Sequence, residues 1–408
     1  MIPRLRPPFS LGELLKASIR PTNDAIGRFE REFAEKFGFS HGLFFPYGRS
    51  ALYALLRALE WRGEEVVLPA YICVVVPNAI VLSGNRVRFV DSEPDHFNVS
   101  AEGLSLYLSP STKMIIPTPL YGFPVDRRGY EEAIARRAPR AFVLWDIAQA
   151  YGVKDQDGLQ TDHAHGAFVG LGMGKLLSSI EGGMLLLRDE AIYRKVRDHR
   201  RKCFSSSGAI RSLKKWILGI GTYWALREPF LSLTDWLESR SDLLDRYNGE
   251  IPVDRGPFLP DNAMEMPTAL QAKLGSLQLL DYERIIAHRR ETASRYEMKL
   301  KEAGFPLFSS PSPIPPTFAQ FPLRVGDRER VQTALRKHGI QARASVPHAC
   351  SDLAGYEAHR GRCPNAALHA RRILVLPNWY GMTLSQVDRV VEGLIRCRNE
   401  EPDIFPTS

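Results

Sequence analysis

Cysteine is scarce and unpatterned. The five residues at 73, 203, 350, 363 and 397 are odd in number and form no Cys-x-x-Cys pair. That argues against a disulfide framework and for a reduced, cytoplasmic setting. Long apolar runs are missing as well: no stretch reaches the roughly 18 uninterrupted apolar residues that a spanning helix needs. The opening MIPRLRPPFS has no apolar core, so no signal peptide is expected. His348, Cys350, His359 and Cys363 are of the right types for zinc, but their spacing fits no standard finger and no metal is expected. The formal net charge of +8 is basic, yet the lysines and arginines are scattered and no nucleic-acid motif accompanies them. An anionic small substrate or an acidic surface explains the balance, and no nucleic-acid partner is expected.

What is present is an ordinary globular composition, 44% apolar and 25% charged, in 408 residues. That is too long for one core, so two domains are expected. Six short apolar runs recur: Val66–Leu68, Val87–Val90, Met114–Ile116, Ala141–Trp145, Ala167–Leu171 and Met184–Leu187. Helical segments at Val74–Leu82, Ala101–Leu108 and Tyr130–Arg137 fill gaps between them. Buried strands joined by helical crossovers predict an α/β domain with a mostly parallel sheet and helices on both faces. Ligands in such sheets gather at the carboxyl ends of the strands.

The boundaries follow from the same pattern. Residues 1–36 read as an N-terminal helical arm, packed on the body or on a second subunit. Residues 37–265 form the large domain, with an insertion at 204–261 led in by a flexible Ser205-Ser206-Ser207-Gly208. Residues 266–408 hold one long helix, from Met266 through Leu300, and a small α+β domain with strands over Thr317–Val325 and Ile373–Leu376.

One stretch carries the chemistry. Gly170 to Gly183 reads GLGMGKLLSSIEGG, a lysine in a glycine-rich turn with Glu-Gly-Gly behind it. It lacks the P-loop spacing. Some 30 residues earlier, Phe142 to Asp146 is an apolar run ending in an acid, followed by Ile147-Ala148-Gln149. A pyridoxal phosphate enzyme needs that pair: a lysine to condense with the aldehyde, and a carboxylate to keep the pyridine nitrogen protonated. Gly48-Arg49-Ser50 opens a helix whose apolar residues are Leu52, Leu55, Leu56 and Leu59. Such an N-terminus suits a phosphate, or simply an N-cap serine.

Nearly end to end, the chain resembles the DegT/DnrJ/EryC1/StrS aminotransferases, mostly sugar aminotransferases. The likeness rests on GRSALYALLRAL, EEVVLPAYICVVVPNAIVLSG, FVDSEPDHFNVS, STKMIIPTPLYGFPVD, WDIAQAYG, GKLLSSIEGG, LQAKLGSLQLLD and LVLPNWYGMTLSQVD. Its specific parts are the Asp-x-x-Gln and Lys-x5-Glu-Gly-Gly spacings. The resemblance implies a fold type I PLP-transferase, with a mostly parallel seven-stranded sheet and a smaller α+β C-terminal domain. It implies pyridoxal 5'-phosphate as cofactor, glutamate as amino donor, a keto- or aldehydo-sugar as acceptor, and a homodimer with shared active sites. Carried over, Lys175 holds the cofactor aldehyde, Asp146 faces the ring nitrogen, Gln149 meets the ring hydroxyl, and Gly48, Arg49 and Ser50 hold the phosphate. Arg343 and His348 are candidates for the substrate pocket.

Five departures mark a divergent branch. The ring-stacking aromatic falls at Cys73 and the threonine before it at Ile72. The phosphate-touching serine is Gly170, the histidine of the HxYG segment is Pro119, and the partner's Asn-x-Arg aligns with Met264 and Met266. Two alternatives to transamination are a PLP-dependent sugar dehydratase, whose lysine position is histidine in related enzymes, and a non-catalytic regulator on the same body. The aromatic-rich stretch 211–238 could lie on a membrane surface as a basic amphipathic helix. Because Glu228, Asp235 and Glu238 break the basic face, an interface or pocket lid is the preferred reading.

Overall fold

The computed structural model describes residues 1–19, 24–155, 158–227, 229–238, 256–310, 315–356 and 361–405. Along the chain lie β1 (His41–Phe45), β2 (Glu65–Pro69), β3 (Arg86–Val90), β4 (Thr112–Ile115) and β5 (Phe142–Asp146). A two-residue ladder, β6 (Lys154–Asp155) with β7 (Gly158–Leu159), precedes β8 (Gly166–Gly170) and β9 (Gly183–Leu187). Seven strands make one sheet in the order β1-β9-β8-β5-β4-β2-β3. Only β9 runs against its neighbours β1 and β8; the other ladders are parallel.

The strands are apolar because both faces of the sheet are covered. Val66, Leu68, Leu144, Phe168 and Leu185 point into one core layer. Their alternates Val67, Trp145, Val169, Met184 and Leu186 point into the other. This period-two division is what a doubly covered sheet requires. Strand β1 lies outside the six apolar runs that the sequence marks. It contains Gly42, where a β-carbon would collide with the main-chain carbonyl of Glu30.

The long helix expected from Met266 to Leu300 is two helices, Ala269–Leu280 and Tyr282–Glu302. Asp281 breaks between them at φ −91°, ψ 2°. The break changes the phase of the apolar stripe: Leu280 is 84% exposed, whereas Tyr282 packs into the core beside Phe37 and Tyr151. A Thr268–Gln271 capping box starts the first helix.

In the C-terminal part, β10 (Phe321–Arg324) pairs antiparallel with β11 (Ile373–Leu376), and the helix Leu384–Glu400 packs against Tyr282–Glu302. The strand expected from Thr317 begins only at Phe321, since Phe318 adopts a left-handed φ of 46°. The serine lead-in expected to be flexible is pinned. Ser205 N–H donates to Met264 O, Met266 N–H donates to Ser205 O, and Ser207 Oγ donates to Pro267 O. The insertion then forms helices Ala209–Ala225 and Phe230–Glu238.

Candidate active site

Asp146 closes β5, at the carboxyl end where ligands collect in such sheets. Its carboxyl is buried and accepts the Ala148 N–H at 2.9 Å. Burial raises its pKa to about 6, against the pull of the Ala148 N–H and of the Lys175 charge. Gln149, one turn on, has its amide held at both ends. Its Oε1 accepts the Tyr121 main-chain N–H at 2.6 Å, and its Nε2 donates to Ser345 Oγ at 3.4 Å.

The lysine turn is closed by its own backbone. Leu171 N–H donates to Gly182 O, Lys175 N–H to Gly172 O and Ser179 N–H to Leu171 O, at 2.8, 3.0 and 3.0 Å. Lys175 is half-buried, and its Cε lies 3.7 Å from where a β-carbon on Gly170 would stand. A serine at 170 would therefore touch the lysine stem. The structure brings Lys175, Gly170 and Asp146 into one place.

Next to them begins the helix Gly48–Ala58. Its N-cap residue, Tyr47, makes no side-chain capping bond. A β-carbon on Gly48 would stand 3.1 Å from Val169 O, and one on Gly183 would collide with Gly48 N. Glycines at both positions thus let the turn press on the ends of β8 and β9. Ser50 Oγ is buried with no hydrogen-bond partner among the described residues. A helix N-terminus without a side-chain cap and an orphaned buried hydroxyl fit a phosphate. A buried carboxyl that needs a cation, beside a lysine, fits the ring and aldehyde of pyridoxal phosphate.

Arg49 stacks over the Tyr47 ring at 4.6 Å. Burial lowers its pKa, while the neighbouring Tyr47, Cys73 and Glu181 oppose that shift. Cys73 is exposed, just ahead of the helix Val75–Leu82. Arg343 is tied by paired main-chain bonds to Val375, and His348 is exposed further along the same loop. That loop is anchored where Cys350 N–H donates to Ala70 O and its thiol to Ile72 O. Its member against Gln149 is Ser345, which nothing in the sequence singles out. Among the described residues no group of His, Cys, Asp and Glu could hold a metal. His359 lies outside those residues.

A second cluster was not foreseen. Tyr47 O–H donates to Glu181 Oε2 at 3.4 Å, Asn262 Nδ2 donates to Tyr47 Oη at 2.8 Å, and Lys215 of the insertion pairs with Glu181. Burial pushes the Tyr47 phenol up to about 12. Only the Glu-Gly-Gly motif hinted at this cluster. Met264 and Met266, at the positions of the partner's Asn-x-Arg, bond through their main chains to Ser205.

The model of the DegT/DnrJ/EryC1/StrS aminotransferase family matches residues 11–227 and 244–395. A UDP-N-acetyl-3-dehydro-alpha-D-glucosamine 3-aminotransferase of Acidithiobacillus ferrooxidans is 26% identical over 375 residues, covering 90% of this chain and 87% of that protein. A GDP-perosamine synthase of Caulobacter vibrioides is 25% identical over 382 residues, 90% of this chain and 89% of that protein. Among solved structures, the aminotransferase TlmJ from Streptoalloteichus hindustanus superposes with a TM-score of 0.76 at 20% identity. It covers 98% of this chain and 99% of its own.

Proposed function

Because this chain belongs to the DegT/DnrJ/EryC1/StrS aminotransferase family, we propose that it moves an amino group from glutamate to a keto- or aldehydo-sugar, free or nucleotide-linked. It is an aminotransferase whose cofactor is pyridoxal 5'-phosphate. The observation that carries the reading is the buried Asp146 carboxyl within the field of Lys175, at the ends of adjacent strands β5 and β8. The relatives that act on nucleotide sugars support the acceptor class.

Bound there, pyridoxal phosphate supplies an aldehyde for the amine and a ring that accepts electrons. Asp146, ionised, holds a proton on the ring nitrogen. Gln149 would present to the ring hydroxyl the Nε2–H that it does not give to Ser345, its oxygen being occupied by Tyr121. Ser50 Oγ and the amides of the Gly48 turn hold the phosphate. Lys175 Nζ would take the proton from the donor's α-carbon and deliver it to the carbon that was the cofactor's aldehyde, with the reverse transfer serving the sugar. Cys73 leaves the ring face without an aromatic cover, and Arg343 and His348 are assigned to the substrate. Residues 37–265 form the cofactor domain and 266–408 the domain that reaches it through Ser345. The enzyme works in the cytoplasm as a homodimer that shares its sites.

The test is Lys175→Ala. Borohydride reduction should fix the cofactor's mass on the wild-type protein and not on the variant. Turnover of glutamate with keto-sugar acceptors, read by mass spectrometry, should vanish with it. Retained turnover in Lys175→Ala would overturn the reading. A product lighter by one water, with no amine gained, would replace it with dehydration.

A further inference from the structure

The two insertion helices bury one set of apolar residues against the body and carry a second apolar stripe that faces away from it. On Ala209–Ala225 the side toward the body carries Trp216, Leu218 and Ile220, packed by the cluster of Phe9, Leu14 and Ile180, together with a glycine and two ion pairs. Gly219 lies against Ile180 and Leu14, Arg211 pairs with Glu265, and Lys215 pairs with Glu181. The opposite stripe, Ile210, Leu213, Ile217 and Trp224 at helical spacing, is 44–74% exposed. On Phe230–Glu238, Leu231 is fully buried against the body. Asp235 is buried, bonded by Arg336 and Gln341, while Phe230 and Leu233 are exposed. Trp224 meets Phe230 edge to face at 6.3 Å, which joins the two stripes into one apolar surface.

We propose that this surface seats the enzyme on an anionic lipid bilayer. Charge complementarity selects the occupant. Between Asp198 and Glu228 the chain carries seven basic residues and no acid. Arg200, Arg211 and Lys215 are committed to ion pairs within the protein. Arg201, Lys202 and Lys214 are exposed. Lys214 flanks the stripe directly, four residues after Ile210 and three before Ile217. Asp235, one of three acids that break the basic face in sequence, is turned inward onto Arg336 and Gln341. A tryptophan on the apolar face and lysine at its border are the composition of an interfacial helix. A second copy docking by two-fold symmetry would set these basic borders against each other. Among the described residues no helix is long and apolar enough to cross a membrane, so the contact lies on the surface. The inference is independent of the transamination reading, because lipid binding needs no substrate.

Sedimentation of the full-length, cofactor-loaded protein with vesicles tests it. The protein should pellet with phosphatidylcholine vesicles containing phosphatidylglycerol. It should pellet less with phosphatidylcholine alone, and less at high salt. The double variant Ile217→Asp, Leu233→Asp should lose partitioning on the order of tenfold or more, with its circular dichroism unchanged. Wild-type protein left in the supernatant with both vesicles overturns the proposal. So does equal binding to neutral and anionic vesicles, or undiminished binding by the variant. A fall in light-scattering mass on introducing the two aspartates, without any vesicle binding by the wild type, assigns the surface to a second copy instead.

Discussion

The main-chain N–H of Tyr121 donates to Oε1 of Gln149 at 2.6 Å, and Tyr121 holds a left-handed φ of 58° where it does so. Its phenol shares a 2.7 Å hydrogen bond with Tyr71 inside the core, which helps to maintain that backbone. The consequence is orientational: the amide oxygen faces Tyr121, one N–H goes to Ser345, and the second N–H remains for a ligand. Gln149→Glu keeps an acceptor for Tyr121 and removes the donor. It should weaken binding of pyridoxal phosphate roughly three- to tenfold, as for one lost neutral hydrogen bond, measured by absorbance titration. Gln149→Ala should also lower stability, because the Tyr121 N–H is then left unpaired.

Asp146 makes the cofactor-free protein sensitive to pH. Its folded pKa is raised to about 6 by burial, above the ~3.9 of an unfolded chain. Below about pH 4 the carboxyl is protonated in both states and costs nothing. As pH rises through 6 the buried carboxylate forms, and up to about 3 kcal/mol of stability is lost. Cofactor-free Asp146→Asn should therefore be more stable than wild type at pH 7 and equal to it near pH 4, by urea denaturation. Saturating pyridoxal phosphate should reverse the order at pH 7, because only the carboxylate complements a cationic ring.

Glu30 and Arg200 form a buried ion pair at 2.5 Å, and both also bond Phe44: Glu30 accepts its N–H and Arg200 donates to its carbonyl. The pair ties the helix Ala25–Lys36 to β1 and to the helix Glu190–Cys203. Removing one partner leaves the other charge buried. Arg200→Ala should cost about 3–5 kcal/mol, measured by denaturant unfolding. Double substitution by apolar residues should cost less than the sum of the two single changes.

The parallel core and the chemical centre were legible because each leaves a local mark. Val66–Leu68 and Ala167–Leu171 announce themselves as apolar runs, and Asp146, Gln149 and Lys175 sit at spacings that few other functions require. Ser345 was not legible, because its contact with Gln149 spans 196 residues of sequence and depends on how the C-terminal loop packs. Tyr121 was missed for another reason: only its backbone acts, and a left-handed tyrosine looks like any other in sequence. For the insertion, the sequence left a membrane-surface helix beside the preferred interface or pocket lid, because spacing alone does not say which apolar residues meet the body. Here Trp216, Leu218 and Ile220 pack on the body beside Gly219 and two ion pairs, and a second apolar stripe turns outward.

Gly183 and Gly172 separate the geometric demands of the lysine turn. A β-carbon at 183 would collide with Gly48 N and the Tyr47 carbonyl, which are backbone atoms and cannot swing aside. At 172 nothing lies within 4 Å of that position. Gly183→Ala must therefore push the Gly48 turn off the ends of β8 and β9, spoiling the phosphate cradle as well as the packing. It should cost about 1–3 kcal/mol of stability, as overpacking does. Pyridoxal phosphate affinity should fall on the order of a hundredfold, which is about 2.7 kcal/mol. Gly172→Ala should leave both within about twofold. If the two variants bound the cofactor equally well, the Gly48 turn would not be where the phosphate is held.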